Sequence, residues 1–158
     1  MIDIYPHGPT ELFNYQDGKL YWKVAPSDFV KAGQLAGRKG TRGYSQVKIN
    51  GKMYSLHHLI WWFHHGYKPR YIDHIDGNPD NNKIENLRMC TLSENQANAK
   101  ISKANTSGYK NIFWNKKRRK WSIRINGKMI GHSDDLEEAR SLAIYTRKQL
   151  NGEFARDV

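Results

Sequence analysis

At 158 residues the chain has room for one ordinary domain or two small ones, each with a modest core. Lysine and arginine total 26 against 15 aspartate and glutamate, and the formal charge of +11 makes polyanions the natural partners, nucleic acid first, because each neutralised phosphate releases a condensed counterion. A single cysteine, Cys90, excludes an intrachain disulfide framework and the multi-cysteine zinc sites of many small DNA-binding domains, so folding rests on packing.

Met1 to Pro6 lacks the basic and apolar regions of a secretory signal, and no run of about 18 apolar residues occurs. No basic amphipathic helix or polybasic tail suggests a membrane surface. A cytoplasmic protein without a membrane partner is expected.

In chain order, Asp17-Gly18 precedes the strand formers Lys19 to Trp22, and Asn50-Gly51 marks a second hairpin. Leu56, Leu59, Ile60 and Phe63 then fall on one helical face, predicting a helix of about ten residues with Ser55 as N-cap and Gly66 as stop. His57, His58, His64 and His65 straddle it, with packing as likely a role as phosphate contact for most. Residues 67–90 are rich in Pro, Gly, Asp and Asn and read as a loop held by its own hydrogen bonds. A helix should begin near Thr91 or Ser93, since Thr91-x-x-Glu94 and Ser93-x-x-Gln96 both fit a capping box, which puts Asn95 in a first helical turn.

Residues 102–108 are small and polar and read as a linker, with a domain boundary near residue 105. Between Tyr109 and His132 there is no acid, while Lys110, Lys116, Lys117, Arg118, Arg119, Lys120, Arg124 and Lys128 are basic. Three strands are expected there, Tyr109 to Trp114, Trp121 to Ile125 and Lys128 to Ser133, with Asn126-Gly127 as a third hairpin turn. Val47 to Met53 and Ile123 to Met129 nearly repeat, which reads as one hairpin recipe used twice. Asp134, Asp135, Glu137 and Glu138 suit the positive end of a helix running to about Leu150, with Leu136, Ala139 and Ala143 facing the sheet. The opposite sheet face is then free to carry charge.

Residues 72–98, IDHIDGNPDNNKIENLRMCTLSENQAN, carry the chemistry. Asp-His-x-Asp-Gly, Asn-Asn, Glu-Asn-Leu-Arg and a Ser-Glu-Asn helix start resemble the HNH nucleases, in particular the phage and intron-encoded branch, over roughly residues 54–100. The resemblance implies a ββα unit around one divalent metal ion, with Asp73 and Asn95 as metal ligands and His74 as general base. It makes Asn86 the middle residue that pins the loop to the hairpin, and it matches His57 to an upstream histidine; these two complete the catalytic group.

The chemistry agrees, since an imidazole titrating near about 6.5 suits deprotonation of water at neutral pH. One carboxylate and one amide oxygen suit a hard cation, magnesium or manganese, over zinc. A bare punctuated loop or a calcium loop are the other readings of residues 73–82. The latter lacks a glutamate at its twelfth position, whether counted from Asp73, Asp76 or Asp80.

Residues 108–145 resemble the three-strand-plus-helix DNA-binding domain of plant ethylene-response factors. The match rests on Ser107 to Ile112, Trp114, Lys116 to Trp121, Arg124, Gly127, Gly131 and Leu136 to Ala139. The resemblance implies a sheet laid in the major groove, with Trp114, Lys116, Lys117, Arg118, Arg119, Lys120, Trp121 and Arg124 meeting DNA. Phe113, Trp114 and Asn115 stand where the plant pattern has arginines, so base specificity does not carry over.

The expectation is therefore an α+β protein: residues 1–105 form β-hairpins with a ββα-metal HNH unit, and residues 106–158 form a small sheet-plus-helix DNA-binding domain. It would be a magnesium- or manganese-dependent, zinc-free endonuclease acting on double-stranded DNA as monomer or dimer, of the homing or nicking type, in the host cytoplasm if phage-encoded. A non-catalytic DNA-binding regulator with an HNH-like fold and an RNA-directed nuclease or toxin are the alternatives. The joint presence of Asp73, His74 and Asn95 argues against the first.

Overall fold

Turn chemistry builds the first half of the chain. In the computed structural model, which describes residues 8–40, 43–99, 101–102 and 104–156, Asp17, Asn50 and Asn126 all take positive φ (47°, 49° and 50°) and are each followed by a glycine at 79–80°. Two successive left-handed residues form the turn whose twist matches paired strands, so each dipeptide closes a hairpin. Met1 to Pro6 and His7 lie outside the described residues.

Packing divides the chain into two compact units, Met1–Met89 and Cys90–Val158. Both mix helix and sheet. In the first, Pro9 opens the short helix α1 (Pro9–Leu12), where its missing N–H costs nothing. Strands β1 (Phe13–Gln16) and β2 (Lys19–Trp22) pair antiparallel. A three-stranded antiparallel sheet follows in the order β3 (Arg38–Lys39), β4 (Ser45–Ile49) and β5 (Lys52–Ser55).

Helix α2 spans Leu56–His65, and Gly66 at φ 75° caps it by donating to Trp62 O. Ser55 stands at the expected N-cap, but its side chain makes no capping hydrogen bond. Leu56, Leu59, Ile60 and Trp61 of α2 join Phe13, Leu20, Trp22, Val47 and Ile49 in one core. Residues 67–90 are not loop throughout: β6 (Ile72–His74) and β7 (Leu87–Met89) pair antiparallel, and a 3-10 turn at Ile84–Asn86 precedes β7. Three-residue strands are too short for a period-2 pattern, and only Ile72 and Leu87, which enter the core, mark them.

The second unit opens with α3 (Leu92–Asn98), capped reciprocally by Thr91 and Glu94. Of the two capping boxes the sequence offers, this one forms. The stretch from Asn105 to Gly108, expected as part of a linker, is instead tied into the second unit. Buried Ser107 donates through Oγ to Tyr109 O and Ile112 O at 3.0 and 2.8 Å, and Asn105 Nδ2 donates to the same two carbonyls. Small polar side chains here satisfy backbone groups at a strand entry rather than lending flexibility. Lys110 Nζ binds the Ala97 carbonyl and, at 2.5 Å, that of Ala99, which ties the end of α3 to the same unit.

Strands β8 (Ile112–Asn115), β9 (Lys120–Ile125) and β10 (Lys128–Ser133) form an antiparallel sheet in the order β10-β9-β8. The first starts later than its composition suggests, because Asn111 at φ 70° breaks the extended run. Helix α4 (Leu136–Asn151) begins at Asp135, whose side chain accepts from Glu138 N. Ala139 and Ala143, fully buried, lie on Ile112, Ile123 and Ile125, with Leu136 partly buried beside them. Two alanines let the helix approach the sheet closely.

Candidate active site

Strand β6 carries Asp73 and His74, two of the residues that the HNH resemblance singles out. Its register with β7 sets Asp73 opposite Arg88 and His74 opposite Leu87. Arg88 donates from Nε and Nη2 to Asp73 Oδ2 at 3.1 and 3.0 Å, with side chains 13% and 6% exposed. A buried carboxylate opposite a planar donor fork is held in one orientation. Arg88 was not among the expected site residues, although it ends the Glu-Asn-Leu-Arg motif.

His74 is buried, and its Nε2 lies 3.1 Å from Oδ1 of Asn82, itself buried. Two further rings lie beside it, His57 at 5.3 Å and Tyr44 at 6.0 Å between centroids, and His58 in turn lies 4.6 Å from His57. Burial first, then the charges of His58, His74 and Lys68, lower the His57 pKa to about 3. His57 is therefore a neutral ring at physiological pH, suited to packing or hydrogen bonding. His58 is lowered too, by burial and then Lys68, against bonding to the Arg70 and Pro69 backbone. His64 and His65 lie at the far end of α2 against Tyr15 and Trp61. Tyr44 and Asn82 were not legible as site residues.

Between the strands, residues 75–86 fold around one carboxylate. Asp76 accepts from Asn78 N, Asn81 Nδ2 and Asn86 Nδ2 at 2.7, 2.7 and 2.9 Å. Asn86 also accepts from Asp76 N and donates to Asn81 O, while Ile75 N donates to Asn86 O. Asn86 thus ties the loop to the strand that follows it. Burial pushes the Asp76 carboxyl up, but the bonds from Asn81, Asn78 and Asn86 and the nearby His74 outweigh it and leave the pKa below the usual range. Internal bonds engage both Asp76 oxygens.

Asn95 is half-buried on α3 in the second unit, whereas Asp73 belongs to the first. The donor chemistry of these two, a carboxylate and an amide oxygen, fits a hard divalent cation. Among the described residues no cluster of three or more His, Cys, Asp or Glu side chains could hold a metal ion.

In the second unit, Lys116, Lys117, Arg118 and Arg119 are exposed on the β8–β9 turn, where Arg119 takes φ 53°. Lys120 is drawn back to Asp134, 2.9 Å away. Strand alternation and register place Trp114 and Trp121 on the face of Ile112 and Ile123, the one that packs on α4, with the two indoles edge-on at 5.0 Å. Trp121, half-buried, packs against the core of this unit. Trp114 remains 42% exposed. Arg124 points to the opposite face, over the Phe113 ring at 5.4 Å. There Ser122 and His132 pair at 2.8 Å.

Residues 54–97 match the profile of the HNH endonuclease family. Over 105 residues the chain is 42% identical to Protein 3.8 of Escherichia phage T7, an alignment covering 63% of this chain and 87% of that protein. No solved structure matches. No helix among the described residues is long and apolar enough to cross a membrane.

Proposed function

This chain belongs to the family of Protein 3.8 of Escherichia phage T7 and carries an HNH endonuclease domain at residues 54–97, and from that premise we propose that it is a phage-encoded, metal-dependent DNA endonuclease of the homing or nicking type. The observation that carries this reading is the buried Asp73-His74 pair on one strand of the matched stretch, each side chain held by its own partner.

His74 acts as the general base that takes a proton from the attacking water, with His57 as a neutral neighbour and Asn86 holding the loop. Asp73 and Asn95 are the residues that would hold magnesium or manganese. The bound cation would supply positive charge to the scissile phosphate and the leaving oxygen. Arg88 keeps the Asp73 carboxylate oriented. Residues 1–105 form the ββα-metal nuclease, while residues 106–158 grasp double-stranded DNA through Lys116 to Arg119 and Arg124, by an ethylene-response-factor-like sheet. The site of action is the host cytoplasm, with the protein as monomer or dimer on DNA.

Supercoiled plasmid incubated with the purified protein, with and without magnesium, tests the reading. Relaxed circles indicate nicking and linear product double-strand cutting. His74→Ala should retain DNA affinity and lose roughly two to four decades of single-turnover rate. Intact plasmid at every magnesium and manganese concentration would refute the nuclease reading and leave a DNA-binding protein.

A further inference from the structure

We propose that the tip of the first hairpin, Tyr15 to Gly18, is a positioning device for His74: it clamps Asn82, whose amide oxygen holds the imidazole as its Nε2–H tautomer with the lone pair on Nδ1. This rests on the reading of His74 as general base and adds to it the residues that decide which nitrogen takes the proton.

The argument begins at the Asn82 amide. Its Nδ2 faces two backbone carbonyls, Pro79 O and Asp80 O, each at 3.3 Å, and an NH2 group can only donate. Turning the amide over would set its oxygen against those two acceptors. Its orientation is therefore determined, and the atom 3.1 Å from His74 Nε2 is Oδ1, which carries no hydrogen. A hydrogen bond at that distance needs the proton on Nε2. In a neutral ring the other nitrogen then bears the lone pair.

Asn82 makes these bonds only if its backbone is held, and the hairpin holds it. A Cβ added to Gly18 would lie 2.8 Å from Lys83 N and 3.0 Å from Asn82 C, so the glycine lets the turn sit directly on the Asn82–Lys83 peptide. Tyr15 Oη accepts from Ile84 N at 3.1 Å, and Asp17 pairs with Lys83 at 2.8 Å. Contacts from three residues of one turn bracket residues 82–84.

Nitrogen-15 NMR of the histidine-labelled full-length protein, at a pH where imidazoles are neutral, reads the tautomer without reference to activity. Wild type should show His74 with a protonated, hydrogen-bonded Nε2 and an unprotonated Nδ1. Asn82→Asp, which keeps an acceptor oxygen, should preserve that pattern. Asn82→Leu should move the Nε2–H resonance upfield or replace it with an Nδ1–H signal, and Tyr15→Phe, a mild loosening of the clamp, should move it part of the way. In plasmid cleavage, Asn82→Leu should lower kcat about 10- to 100-fold with KM little changed, the usual size of an orienting contact, and Asn82→Asp should restore most of the loss.

An Nδ1–H tautomer in wild type, or unmoved His74 signals in Asn82→Leu, overturns the inference whether or not the protein cleaves DNA. Tautomer shifts as stated in a protein that leaves plasmid intact would instead overturn the nuclease reading and keep the coupling of hairpin to His74.

Discussion

Replacing Asp73 by alanine should damage the fold and the chemistry by separable amounts. Across β6 and β7, Arg88 places two nitrogens 3.1 and 3.0 Å from one Asp73 oxygen, with the side chains 13% and 6% exposed. Removing one member of a buried pair costs about 3–5 kcal/mol, because the remaining charge keeps its desolvation cost and loses its counter-charge. The 13% exposure of Arg88 admits some water to the guanidinium and puts this case at the low end, about 3 kcal/mol. For a unit of this size that lowers the melting midpoint by roughly 12–24 °C. Arg88→Met combined with Asp73→Ala exchanges the pair for apolar packing and should recover most of the loss. Thermal melts of wild type, both single variants and the double variant measure this, alongside cleavage assayed below every midpoint. Asp73→Ala and the double variant should both be inactive. An Asp73→Ala protein melting with wild type would refute the buried-pair argument. A double variant that cleaves would remove Asp73 from the metal site.

His57 gives the protein an acid-sensitive window. Its folded pKa of about 3 lies below the ordinary 6.5, so the unfolded chain binds a proton first as pH falls, and stability present above about 6.5 is lost progressively toward 3. Between neutral pH and about pH 4.5 the loss should be about 2–3 kcal/mol, and His57→Gln should flatten the melting-temperature profile over that range. In the second unit, Arg124→Ala should weaken DNA binding at unchanged stability, whereas Trp121→Ala, truncating a half-buried ring over α4, should cost about 2–3 kcal/mol. The reverse pattern would exchange the two faces of the sheet. Changing Lys116, Lys117, Arg118 and Arg119 together to serine should lower the salt slope of log affinity by about 3–4, at near 0.9 per lost phosphate contact. An unchanged slope would move the phosphate contacts to the first unit.

Elements governed by near neighbours could be read from the sequence alone. Asp17-Gly18, Asn50-Gly51 and Asn126-Gly127 close hairpins because two adjacent left-handed residues suffice, whatever the rest of the chain does. Thr91 and Glu94 cap a helix across one turn, and the apolar spacing from Leu56 to Phe63 marks the buried face of α2. The Asp73-His74 pair was visible because its motif is continuous. What tertiary structure decided are pairings between residues that no local rule connects: Arg88 across the strand from Asp73, Asn82 beneath His74, Tyr44 and His57 around its ring, and Gly18 against the Lys83 backbone. The same holds for the sheet face that Trp114 and Trp121 occupy. A shift of one residue in strand register would send both indoles to the other side, so composition could place them near the basic turn but could not choose their face. Turns and caps are stabilised within a few residues of chain, whereas these contacts form only when the core closes and sets distant strands in register.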